Sequence, residues 1–157
     1  MNNFPSFENF LAIVKRVNRA FDEKPTELKV GQVWGLEQDS PAKWLIIRVR
    51  EHDVRAVPIT TDIWASTPDD IIIPKGAVYY GESVIFPRHA TLVLKNNLLT
   101  YWADLSHYVE YLYTKDTPSG CYRGEADFED PIIREFDNEL AVHKYSLMNE
   151  ALFLEEV

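Results

Sequence analysis

The chain of 157 residues carries 25 acidic side chains against 16 Lys and Arg, a net charge of −9, with 46% apolar and 13% aromatic residues. That length buries one sizeable core without disulfides or metals, so a single domain over 1–157 is expected and global disorder is excluded. The charge opposes long-range attraction to phosphate backbones and anionic lipid, the lone Cys121 excludes an intrachain disulfide and a four-cysteine zinc site, and no apolar run approaches the roughly 20 residues that span a bilayer, so a cytoplasmic protein without a membrane partner is expected.

After Pro5, the residues Phe7, Phe10, Leu11, Val14, Val17 and Phe21 recur at three- and four-residue intervals behind Ser6, a capping residue. This spacing predicts an amphipathic helix over 6–23 that stops before Pro25. The period then changes. Residues 30–36, 44–49 and 54–59 are short β-branched or aromatic runs joined by polar links of a few residues. Links that short suit antiparallel neighbours and not parallel crossovers. Residues 70–73 and 84–94 are further strand candidates, the second requiring an edge or bulge at Pro87. The set predicts a curved antiparallel sheet forming a small, partly open barrel.

Over 98–113, Leu98, Leu99, Trp102, Leu105, Tyr108, Val109 and Leu112 fit helical spacing, and a helix is predicted there. A polar loop over 115–124 leads to Asp130-Pro131, a cap residue followed by proline at the first helical position. The helix it opens, over 131–154, should pack through Ile132, Ile133, Phe136, Leu140, His143, Leu147, Ala151 and Leu154, leaving Glu135, Asp137 and Glu139 toward solvent. The fold class is therefore α+β, a curved antiparallel barrel with a helix at each end.

No phosphate-cradling glycine loop, nucleophile elbow, paired-histidine helix motif or calcium loop is present. His52, His89, His107 and His143 lie far apart, and no metal or cofactor is expected. Cys121 stands two residues before Arg123, a cation positioned to lower a thiol pKa.

Four segments stand out in order: Val30-Gly31-Gln32-Val33-Trp34, Lys43-Trp44-Leu45-Ile46-Ile47, Val57-Pro58-Ile59-Thr60-Thr61 and Asp69-Asp70-Ile71-Ile72-Ile73-Pro74. Over residues 28–114 their order and spacing resemble the PemK/MazF-like growth-inhibitor toxins, whose barrel opens on a Gly-Asp/Gln-hydrophobic-Trp/Leu strand and carries Pro-Ile-Thr at the end of a later strand. The resemblance implies an SH3-like barrel, commonly a homodimer, and metal-independent cleavage of single-stranded RNA by activating a ribose hydroxyl against its adjacent phosphate. That reaction needs a cation for the phosphate and polar groups for proton transfer. Lys43 stands in the neighbourhood of the family's arginine, offering a point charge in place of a planar fork. Thr60 falls on the signature threonine, with Thr61 beside it. Arg88 and His89, near the late strand that borders the family's groove, would supply a guanidinium and a proton carrier.

The resemblance thus implies Lys43, Thr60, Arg88 and His89 as catalytic residues, with Thr61 as an RNA contact. Arg48 and Arg50, two apart on a strand, share one face and extend the anion-facing patch. The family's antitoxins cover the RNA groove with acidic segments, which implies an antitoxin-like protein partner. Residues 125–157 carry ten acids against Arg134 and Lys144 and lie beyond the resemblance, so they read as a built-in cover or as an ordinary packed helix. A second reading stands beside the nuclease: a catalytically silent barrel kept as a protein-interaction or regulatory module.

Overall fold

The computed structural model describes residues 25–36 and 42–156. The helix expected over 6–23 lies outside the described residues. Eight strands form one antiparallel sheet: β1 (Gln32–Gly35), β2 (Lys43–Val49), β3 (Asp53–Thr60), β4 (Ile71–Ile73), β5 (Ser83–Ile85), β6 (Thr91–Leu94), β7 (Thr100–Asp104) and β8 (Tyr122–Arg123). Their order is β7-β1-β2-β3-β5-β4-β8, with β6 also paired to β3, and the sheet does not close. Among the described residues two α-helices accompany the sheet, the single turn α1 (Ser106–Val109) and the 26-residue α2 (Pro131–Glu156).

Side-chain alternation divides the core between the two faces of the sheet. Val33, Leu45, Val57, Ile59, Ile71, Ile73 and Ile85 point to one face, where Leu105, Tyr108 and Leu112 cover them. Trp34, Trp44, Ile46, Val54, Ala56 and Val93 point to the other with Leu147 of α2, and Ile72, Val84 and Phe86 meet Ile133 and Leu140 of the same helix. A sheet buried on both faces explains why its strands read as continuous apolar runs. Each large side chain so buried contributes about 1.5–3 kcal/mol.

Three expectations need correction. Residues 98–113 are not one helix: β7 pairs along β1, matching Val33 to Ala103 and Trp34 to Tyr101, and only 106–109 turn helically. The helical spacing arose because Leu105, Tyr108 and Leu112 do share a face, while Leu98 serves the opposite face of the sheet. Residues 84–94 are two strands separated by a 3₁₀ turn, Pro87–His89, so that β3 pairs with β6 through its first half and with β5 through its end. Finally, the 115–124 loop contains β8, which pairs Tyr122 with Ile72 and Arg123 with Ile71.

Helix α2 begins as its cap residue requires: the Asp130 carboxylate accepts the Ile132 N–H at 2.9 Å, and Pro131 occupies the first turn. Its packed stripe is Ile133, Leu140, Leu147 and Ala151, with Phe136 and His143 on its margin, whereas Ile132 is 62% exposed. No helix among the described residues is long and apolar enough to cross a membrane.

Candidate functional site

Lys43 opens β2 opposite Ile59 of β3. Its backbone N–H donates to the Tyr79 hydroxyl at 3.1 Å, and that hydroxyl donates to the Ile59 carbonyl at 3.0 Å, closing the strand ends together. Burial pushes the Tyr79 hydroxyl up to about 12, with Asp62 adding to the rise and the Lys43 N–H opposing it, so it is a fixed donor at neutral pH. The Lys43 Nζ lies 4.2 Å from the centre of the Trp102 ring, a cation–π contact. Trp102 comes within reach because the β1–β7 register slips by one residue between Val33 and Trp34. Burial lowers the Lys43 pKa, and no carboxylate pairs with the amine among the described residues.

Thr60 lies elsewhere. Lys43 shares a face with its partner Ile59, and the next residue along β3 points to the opposite face. There Thr60 sits opposite Val84 and is 3% exposed, its Oγ1 accepting the Asp62 N–H at 3.1 Å in a local turn. Thr61 is exposed, and its carbonyl accepts the Ile63 N–H. The sheet therefore separates Lys43 from Thr60.

Arg88 and His89 are brought together, but against protein carboxylates. Arg88 Nε donates to Asp70 at 3.2 Å, and Arg88 Nη1 meets Asp137 of α2 at 2.6 Å. His89 Nε2 meets the other Asp137 oxygen at 3.0 Å. Asp70 is fully buried and also accepts the Thr67 N–H and hydroxyl, at 2.8 and 3.0 Å. Burial pushes the Asp70 carboxyl up, against the pull of the Thr67 and Arg88 bonds. Burial likewise pushes the His89 imidazole down, with the Asp137 hydrogen bond opposing and the Arg88 charge adding to the fall. The arrangement is a four-residue clamp that fastens α2 to the sheet. Asp137, expected in solvent, is its centre.

Arg48 and Arg50 also part. The β2–β3 register shifts between Ile46 and Arg48, setting Arg48 opposite Arg55. Arg50 lies beyond β2, where it pairs with Asp53 at 2.9 Å. At Cys121, burial raises the thiol pKa and outweighs Tyr108 and Arg123. The Arg123 guanidinium is committed to the carbonyls of Asp69, Tyr111, Thr114 and Asp116. No group of three or more His, Cys, Asp or Glu able to hold a metal occurs among the described residues.

Sequence reasoning missed Tyr79, Asp70 and Asp137. For Asp137 a signal existed, since it stands four residues after Ile133 and three before Leu140, in the phase of the buried stripe. Tyr79 and Asp70 act through contacts 18 to 36 residues distant in the chain, which no local spacing reveals. No protein-family model matches the chain, and no curated protein matches it either.

Proposed function

We propose that this protein is a catalytically silent SH3-like barrel acting as a protein-interaction module. The observation that carries the reading is the clamp: Arg88 and His89 hold Asp70 and Asp137 of the same chain, which fill the place a phosphate would need. The Thr60 hydroxyl is already engaged, and Lys43 projects from the other side of the sheet. A phosphate transfer needs its cation and proton carriers within hydrogen-bond reach of one substrate.

A second reading, a diverged PemK/MazF-like, metal-independent endoribonuclease, has one observation in its favour: the Lys43 amine is half-buried, depressed in pKa and without an ion-pair partner among the described residues. The deciding experiment incubates the full chain with an unstructured single-stranded RNA, with and without chelator, beside Lys43→Ala. The silent module leaves the RNA intact in every arm. Cleavage that survives chelation and disappears in Lys43→Ala would establish the nuclease instead.

A further inference from the structure

Outside the clamp, the most distinctive surface lies at the end of the sheet formed by β8. This strand is last in the strand order and pairs only with β4, so its outer edge has no strand partner among the described residues. Beside it, a groove of about 260 Å³ runs between the 3₁₀ turn Ile63–Ala65 and β8, lined by Ile63, Trp64, Tyr122, Gly124 and Glu125. Trp64 is 56% exposed and Tyr122 46% exposed, an unusual amount of aromatic surface to leave in water.

The groove is built rather than incidental. The Trp64 ring is braced edge-on against Phe136 of α2, with centroids 5.4 Å apart. Its turn is closed below by the Ser66 hydroxyl donating to the Ile63 carbonyl at 2.5 Å, and the Ala126 N–H donates to the Ser66 carbonyl at 2.9 Å. Gly124 forms the floor, where a Cβ would collide with that same Ser66 carbonyl. Both walls are thus held before any ligand arrives, which lowers the entropic cost of binding.

Two carboxylates stand at the groove: Glu125 lines it, and Glu82 accepts the Tyr122 hydroxyl at 3.0 Å. Arg123 also lines it, with its guanidinium turned onto four backbone carbonyls. The two carboxylates beside the exposed aromatic rings attract Lys and Arg.

We infer that this groove docks a basic, extended peptide segment of a protein partner, laid along the free edge of β8 with one apolar side chain between Trp64 and Tyr122. Main-chain hydrogen bonds to the edge would supply register, the aromatic walls an anchor, and the acids the preference for Lys and Arg. This deepens the interaction-module reading and rests on it.

The test is a selection from a displayed library of random dodecapeptides on the full-length protein, with Trp64→Ala as counter-target, followed by titration of the enriched peptides. The expected peptides carry an excess of Lys and Arg around an aromatic or aliphatic residue and bind at least about tenfold more weakly to Trp64→Ala and to Tyr122→Ala. Glu125→Lys should weaken them by a smaller factor that vanishes at high salt. Circular dichroism establishes that each variant is folded, and two independent aromatic variants guard against misfolding of one. Enrichment of acidic peptides, equal binding by folded Trp64→Ala and Tyr122→Ala, or displacement of the peptides by single-stranded RNA would overturn the inference. RNA cleavage with peptide binding intact would instead sink only the claim of catalytic silence.

Discussion

Asp137 holds two partners at once, Arg88 through one oxygen and His89 through the other, and this makes it the side chain on which α2 docking depends most. Asp137→Ala would leave a guanidinium that is 17% exposed with one carboxylate instead of two. A loss of about 3 kcal/mol in urea unfolding is expected, against less than about 0.5 kcal/mol for the neighbouring, exposed Glu135→Ala. Equal effects at the two positions would show that the clamp contributes nothing. Two histidines at the contact of α2 with the sheet, His89 beneath the helix and His143 on it, set a pH dependence. Burial lowers the pKa of His89 and of His143, which lies 5.9 Å from the Trp44 ring. A base whose folded pKa lies below its unfolded value is protonated more readily in the unfolded chain. Its contribution is therefore complete above the ordinary imidazole pKa of about 6.5 and is lost as pH falls toward the folded value. The raised Asp70 carboxyl works in the opposite sense. The urea midpoint should drop as pH falls below about 6.5, and the double variant His89→Asn, His143→Asn should flatten that slope. An unchanged slope in the double variant would assign the titration to other groups.

Helix α2 joins strong local signals to a long-range role. Asp130 and Pro131 begin it wherever the rest of the chain lies, because the cap needs only the first turn. Asp130→Ala should cost about 1 kcal/mol, whereas Leu140→Ala, which empties the contact with Val84 and Phe86, should cost about 3 kcal/mol. Denaturant curves compare the two directly, and a larger cap effect than core effect would mean that α2 is held by its own helicity and not by the sheet. The β7 strand shows the reverse balance. Its residues favour a helical pattern on paper, yet the backbone of β1 needs a partner on its outer side, and pairing with 100–104 supplies it.

At the scale of the molecule the net charge is −9, yet the sheet carries cations that meet no carboxylate among the described residues. Arg48 and Arg55 face one another across β2 and β3 with no carboxylate paired to either among the described residues. Glu135→Lys with Glu139→Lys, both exposed, should leave stability within about 0.5 kcal/mol while strengthening retention of single-stranded RNA on a filter at low salt. The gain should fade as the Debye length falls below about 10 Å. A folded variant with unchanged retention at low salt would remove the acidic helix from any part in anion exclusion.

The sequence by itself located three antiparallel strands, expected over 30–36, 44–49 and 54–59 and found at 32–35, 43–49 and 53–60, and the start of α2 at its Asp-Pro cap. These are properties of alternation, link length and first-turn hydrogen bonding, all within a few residues. Only the tertiary structure decided that Pro87 breaks one strand into two, that a one-residue slip beside Trp34 carries Trp102 to Lys43, and that Lys43 and Thr60 stand on opposite faces of the sheet. It also decided that Arg88 and His89 meet carboxylates of their own chain. The physical reason is common to these cases: a strand's local pattern specifies which residues share a face, but the identity of the covering element depends on strand order and on where a distant helix comes to rest.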